Sequence, residues 1–317
     1  MKLLKFSGIA VIVLLFCISL TTCKKEPVEE FDKDITIQAF IDDINADSLE
    51  ADVVWLQNMG TRYALSENHR NVAVKIAKRF MMQGYNNVEL DSFFVTKALS
   101  TGFYGGWQYN VIAVLTGSEY PDSVCVIGGH YDDILSTGDP FTIVPGANDN
   151  ASGTAAVLEV SRVMKKNNYM PKSTIMFIAF GAEEMGLFGS NNFAADPNGF
   201  SQKIRFMLNS DMIAYEPSAD PSAWYVNIMD YDNSHDLRYD AEQICARYTS
   251  LSFITNNTNN KYSDSYPFST NGYKALFFFS YNVDPNYHTL NDLAANCNFE
   301  YCSEIVRLEC ALLASKN

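Results

Sequence analysis

At four places in this 317-residue sequence a histidine or carboxylate follows directly on a short apolar run. Residues 123–127 lead into Gly128-Gly129-His130-Tyr131-Asp132-Asp133, and residues 174–180 into Gly181-Ala182-Glu183-Glu184. Residues 204–208 lead into Asn209-Ser210-Asp211, and residues 275–279 into a loop that reaches His288. A fifth contribution, Gly146-Ala147-Asn148-Asp149-Asn150-Ala151-Ser152-Gly153, runs into a helix start with Asp149 at its N-terminal end. Singly, each has an ordinary explanation: a histidine at a strand end is usually structural, a Glu-Glu pair is usually a solvated turn, and Asp is a favoured helix N-cap. The conjunction argues otherwise. The chain has four histidines, and two of them fall at strand ends beside acids, whereas His69 and His235 lie in polar helical contexts.

Two imidazoles and several carboxylates brought together without a countercharge would repel one another and lose hydration. Divalent metal resolves the conflict. Nitrogen and carboxylate donors without thiolates suit a catalytic zinc centre, and five ligands are too many for one tetrahedral ion with an open position. Two ions sharing a bridging carboxylate use them economically, and a paired site activates a water while clamping a carbonyl oxygen.

The elements that must position these residues are legible as well. The four short, nearly continuous apolar runs read as strands buried on both faces, and ligands of open α/β sheets bind outside the carboxyl ends of such strands. Residues 151–166 carry a helical stripe of Val157, Val160 and Met164 between the first two runs. Residues 35–59 and 66–82 are expected to be helices stopped by Gly60 and Gly84, and residues 88–95 and 109–115 strands near a sheet edge. The fold class that follows is α/β, a mixed, mostly parallel central sheet with helices on both faces.

Composition narrows the function classes. With 47% hydrophobic and 19% charged residues the chain can bury a sizeable core, and Asp+Glu 37 against Lys+Arg 23 gives a net charge of -14, which disfavours nucleic acid and anionic membrane surfaces. Lys2 and Lys5, an uncharged stretch from Phe6 to Thr22 and then Cys23 form a secretory signal pattern, and Leu20-Thr21-Thr22-Cys23 resembles a bacterial lipobox with an atypical Thr22. The expected organisation is a lipoprotein signal peptide at 1–22, a tether at 23–34 and one catalytic domain at 35–317. Cys23 would carry the lipid, leaving the domain outside the cytoplasm on the bacterial cell envelope. That leaves Cys125, Cys245, Cys297, Cys302 and Cys310, an odd set in which a Cys297–Cys302 pairing stays open.

Together, His130-Tyr131-Asp132, the octapeptide around Asp149, the stretch from Ala182 to Ser190 and Ser210-Asp211-Met212 resemble the co-catalytic zinc aminopeptidases of the bacterial leucyl aminopeptidase type, metallopeptidase family twenty-eight. The likeness runs from Gly60-Thr61-Arg62-Tyr63 through Asn110-Val111-Ile112-Ala113 to His288-Thr289-Leu290-Asn291-Asp292. It implies a zinc exopeptidase, phosphorylase/hydrolase-like fold and two Zn2+ ions, with Asp149 bridging, His130 and Asp211 completing one site and Glu184 and His288 the other. Glu183 would be the general base on the shared water, Asp132 would orient the His130 ring, and Asp292 would help His288. The implied substrate is a peptide with a free N-terminus. Met212, Phe279, Tyr281 and Tyr287 are expected either to form a pocket for a hydrophobic first residue or to be plain core, and Tyr262 is a candidate for steadying the tetrahedral intermediate. The chain departs from the family where Ser263-Asp264-Ser265 replaces Ser-Asp-His, and where a cysteine pair bracketing a tyrosine is missing. A glutaminyl-peptide cyclotransferase, a carboxypeptidase needing an arginine for a terminal carboxylate, and a non-catalytic binding protein are the competing readings on the same fold.

Overall fold

The computed structural model describes residues 34–99, 102–195 and 203–317. The leader, the lipobox cysteine and all but the last residue of the tether lie outside them. In chain order the elements are α1 (Ile35–Asp42), α2 (Ala46–Gln57), α3 (His69–Met82), β1 (Val88–Leu99), β2 (Gly102–Leu115), β3 (Tyr120–His130), α4 (Ser152–Lys166) and β4 (Ser173–Phe180). They continue with α5 (Phe188–Ala195), β5 (Ile204–Ser210), β6 (Tyr225–Met229), α6 (His235–Tyr248), β7 (Ser252–Ile254), α7 (Ser265–Thr270), β8 (Lys274–Ser280) and α8 (Phe299–Lys316).

The eight strands make one sheet in the order β1-β2-β4-β3-β5-β8-β6-β7. The four central strands β4, β3, β5 and β8 are mutually parallel, and β1, β2 and β6 join antiparallel. The central four are the four apolar runs, and every residue of β4 is buried. Side chains alternate across a strand, so burial on both sides requires cover on both faces, which the helices supply. Because these strands run parallel, their carboxyl ends share one edge, and it receives His130, Glu183, Glu184 and Asp211. Close approach there depends on glycine: a Cβ on Gly129 would meet the Ser210 carbonyl at 2.8 Å, and one on Gly153 at 2.1 Å.

The single helix expected over 35–59 is two. Asn45 breaks it, capping α2 by accepting the Ser48 N–H at 3.1 Å while its own N–H donates to the buried Glu159 of α4 at 2.8 Å. Arg162 pairs with Glu159 at 2.7 Å and donates to the Asp43 carbonyl at 2.7 Å, so a tertiary contact sets the break. The next helix starts at His69 rather than 66, because Asn68 is engaged with the Met59 and Thr61 carbonyls at 3.1 and 2.9 Å. Gly60 and Gly84 follow their helices in the left-handed region, at φ 83° and 95°. The edge strand β1 and its neighbour β2 are longer than their sequence signals, and their register pairs exposed Phe94 with Trp107. Cys297 and Cys302 are unpaired thiols.

Beneath the central strands, Glu309 of α8 is completely buried. Its carboxyl accepts the Ser210 hydroxyl at 2.6 Å, and its second oxygen has no hydrogen-bond partner. Burial pushes its pKa up to about 8, with the Ser210 bond pulling the other way, so the folded protein holds this proton at pH 7. A folded pKa above the unfolded value makes the folded state the better proton binder between them, so this contribution to stability declines as pH rises toward 8. Glu309→Gln stays neutral and should escape that decline: in melts from pH 5 to 8.5, the melting temperature of the variant should gain on the wild type as pH increases. A constant difference would show that Glu309 does not titrate in this window.

Candidate metal centre

Asp149 lies at the middle of the edge. His130 Nε2 is 3.4 Å from Asp149 Oδ1 and 3.5 Å from Asp211 Oδ1. On the other side of the same carboxylate, His288 Nε2 is 2.9 Å from Asp149 Oδ2 and 3.0 Å from Glu184 Oε1. Two triads with metal-ligand spacing therefore share Asp149: His130, Asp149 and Asp211, and Asp149, Glu184 and His288. Glu183 stands beside them, with its Oε2 3.8 Å from His130 Nε2.

Each ligand is held by a bond that positions it. The Asp132 carboxylate accepts the N–H groups of Glu183 and Glu184 at 3.0 and 3.2 Å, fixing the turn after β4 that aims both glutamates. The His130 ring is oriented through Nδ1, which lies 3.1 Å from the Asp132 backbone carbonyl and 3.8 Å from its carboxylate. The contact from Asp132 to the His130 ring is thus made by its main chain. Asp292 differs from the expectation: its carboxylate accepts the N–H groups of Asn148 and Asp149 at 2.7 and 3.0 Å, so it anchors Asp149 rather than His288. His288 instead lies under the Tyr287 ring, with centroids 3.7 Å apart.

Several supports were not singled out in the sequence. Ser263 donates to Asp211 Oδ2 at 2.6 Å and receives the Asn209 amide at 2.6 Å. Asn150 accepts the Gly153 N–H at 2.8 Å and donates to the Ser210 carbonyl at 2.9 Å, tying the Asp149 loop to β5. Arg62, wholly buried, donates to the Tyr131, Pro145 and Gly146 carbonyls at 2.7, 3.0 and 2.7 Å and pairs with Asp133 at 3.3 Å. It ties the loop after β3 to the loop that carries Asp149. Arg62 between Thr61 and Tyr63 gives no local signal of such a role, but the asparagines flanking Asp149 do, since Asn commonly bonds backbone in tight loops.

The charge balance is one-sided. Burial pulls the His130 pKa down, yet Glu183 and Asp211 lift it well above the ordinary imidazole value. His288 is likewise raised to about 10, its bonds to Asp149 and Glu184 outweighing burial. Burial and the neighbouring Asp149 push Glu184 up to about 8. The cluster therefore binds positive charge strongly, and Asp211 Oδ1 is a buried acceptor with no hydrogen bond. Donors bound about 2.0–2.1 Å from a tetrahedral zinc lie about 3.4 Å apart, the spacing of His130 Nε2 from its two carboxylates, and imidazole with carboxylate is a donor set zinc accepts. The residues fit the metal.

A cavity of about 700 Å³ opens over the cluster. Met212, Phe279 and Tyr287 line it, joined by Phe277, and Tyr262 stands on its rim with 74% of its surface exposed. Tyr281 is not among the lining residues; its ring leans on Tyr225, 5.5 Å between centroids, which removes it from the pocket. Ala182, Met212 and His288, each next to or within the ligand set, have φ of 59°, 53° and 54°. Non-glycine residues in that region are uncommon, and here they bend the chain sharply at the ends of β4 and β5 and at His288.

Residues 110–313 match the description Peptidase family M28, a span holding both triads and Glu183. The chain belongs to peptidase family M28. Among relatives, a probable zinc metalloprotease of Pyrenophora teres f. teres (strain 0-1) is 35% identical over 195 residues, 57% of this chain and 39% of that protein. The chain thus spans well under half the length of that relative. A probable leucine aminopeptidase of Arthroderma otae is 26% identical over 279 residues, 84% of this chain and 72% of that protein. In fold, the chain is similar to an aminopeptidase from Aneurinibacillus sp. strain AM-1 (TM-score 0.72, 18% identity, 87% of this chain and 95% of that one). It is also similar to a Bacteroides thetaiotaomicron glutaminyl cyclase bound to N-acetylhistamine (TM-score 0.69, 16% identity, 86% of this chain and 99% of that one).

The support given by Asp132 is testable. Asp132→Asn retains one acceptor for two N–H groups, and zinc affinity measured by competition with a chromophoric chelator should fall about 10–100-fold, as for other residues that hold ligands in place. Unchanged affinity with an unchanged circular dichroism spectrum would remove Asp132 from that role.

Proposed function

We propose that this member of peptidase family M28 is an exported zinc aminopeptidase that releases the N-terminal residue, preferentially a hydrophobic one, from peptides. The observation that carries the reading is the sharing of Asp149 by two imidazole–carboxylate triads, with a further carboxylate, Glu183, beside them, its Oε2 3.8 Å from His130 Nε2. His130 and Asp211 would hold one zinc ion, Glu184 and His288 a second, and Asp149 both. When bound, the ions supply Lewis acidity that polarises the scissile carbonyl and acidifies the attacking water.

The chain's own residues do the rest. Glu183 takes the proton from the water as its oxygen bonds to the carbonyl carbon, and returns it to the nitrogen as the C–N bond breaks, so that a free amino acid and a shortened peptide leave. Asp132 keeps the Glu183 backbone in place for both transfers. The acidic wall attracts the protonated amine of the substrate, and Met212, Phe277 and Phe279 give its side chain an apolar surface. Tyr262 lines the cavity, and its hydroxyl would be the donor to the developing oxyanion. The similarity to a probable zinc metalloprotease and a probable leucine aminopeptidase supports the reaction class.

The leader supports export, with Cys23 as the lipid-bearing residue and the catalytic domain on the outside of the cell envelope. Fractionation checks this: the wild type should pellet with membranes and Cys23→Ser should not, and recovery of the wild type in the cytoplasm would defeat the assignment.

Activity is tested with the zinc-loaded chain on a leucyl peptide and its N-acetylated twin. Release of leucine from the unblocked peptide alone is expected, with a loss of about 10²–10⁴ in kcat for Glu183→Ala. Equal cleavage of both peptides would refute recognition of the amine. Elemental analysis should find two zinc ions per chain. One tightly held zinc with cyclisation of N-terminal glutamine would instead favour the cyclase.

A further inference from the structure

Past the metal cluster the cavity wall changes sign. Asp149, Glu183, Glu184, Asp211 and Asp284 make its floor and one side acidic, yet Lys261 also lines it and is the one lysine or arginine that does. Among the described residues no carboxylate forms an ion pair with Lys261, although the chain carries far more acids than bases. An ammonium group left unpaired at the mouth of an acidic cavity is in position to meet an anion brought in by the substrate.

The segment that presents it is anchored at both ends. Upstream, Asn257 donates to Asp230 Oδ1 at 2.7 Å and Asn260 to the Asp230 carbonyl at 2.8 Å, and the Tyr231 hydroxyl donates to the Asn260 carbonyl. Downstream, Ser263 is bonded to Asp211 itself at 2.6 Å. Residues 261 and 262 lie between these anchors, so Lys261 stands at a fixed distance in sequence from a ligand of the cluster while its four-carbon stem reaches along the wall.

Resting on the aminopeptidase reading, we propose that Lys261 is a specificity-determining residue that pairs with a carboxylate of the substrate beyond the scissile bond. The favoured substrates are then peptides with a free amine at one end and a carboxylate on the far side of the cleaved bond. Two sources share this chemistry: the C-terminal carboxylate of a dipeptide, or an acidic side chain at the second position. An ammonium on the acidic floor and a carboxylate on Lys261 would fix such a substrate at both ends, across the bond to be broken.

The experiment compares kcat/KM of the zinc-loaded chain for leucyl-leucine, leucyl-leucinamide and leucyl-glutamic acid α-amide. The wild type should favour at least one carboxylate-bearing substrate over leucyl-leucinamide by about threefold or more, with the preference shrinking as salt is added. Which of the two is favoured identifies the source. Lys261→Glu should invert the preference and Lys261→Arg should keep it. A wild-type preference near one, or one that Lys261→Glu leaves unchanged, overturns the role of Lys261 while leaving the aminopeptidase standing. No release of leucine from any of the three substrates overturns both.

Discussion

One carboxylate governs the architecture of this edge. Asp149 turns one oxygen to His130 and the other to His288, and those imidazoles come from opposite flanks of the cavity, one at the end of β3 and one in the loop after β8. A shared aspartate works only if its backbone is held from below, because a small rotation about its side chain would lose one partner as it improved the other. That requirement accounts for the density of bonds beneath it. Asp292 receives the two successive N–H groups at 148 and 149, Asn148 reaches Asp284 at 2.9 Å, and Asn150 reaches β5.

The same constraint explains a buried arginine that performs no chemistry. Arg62 and Asp133 form an ion pair with no exposed surface, an arrangement whose desolvation commonly cancels its attraction. Here the guanidinium also donates to three main-chain carbonyls from two loops, and those of Tyr131 and Pro145 would otherwise be buried acceptors without donors. Its contribution is loop geometry rather than net stability. The two loops it joins deliver His130 and Asp149, which stand 3.4 Å apart.

What could be read from sequence follows from what is local. Apolar runs of five to seven residues ending in acids or imidazoles mark buried parallel strands, and parallel strands share a carboxyl edge, so the convergence of His130, Glu183, Glu184 and Asp211 was legible without coordinates. The elements that escaped are those whose cause lies elsewhere in the chain. The break at Asn45 comes from Glu159 and Arg162 more than a hundred residues away, and the true partner of Asp292 is a backbone reached across 143 residues of sequence. Tyr281 illustrates the opposite error. Its neighbours in sequence enter the cavity, but β8 ends at Ser280, and the chain then turns so that Tyr281 meets Tyr225 instead.

The division of labour in the fold also bears on how such a site changes. His130, Glu183, Glu184 and Asp211 lie at or just past the ends of central strands and Asp149 at a glycine-tight helix start, where displacement is opposed by a close-packed core, whereas His288 comes from the loop after β8. The cavity wall, in contrast, is supplied by the segments around Lys261 and from Val283 to Tyr287, which are tied down by side-chain bonds at the surface. Lys261 and Tyr262 are exposed on this wall rather than packed into the sheet edge below. Two side-chain bonds that cross between the zones run from Ser263 to Asp211 and from Asn148 to Asp284, and through the first the loop that presents Lys261 and Tyr262 is held in register with Asp211.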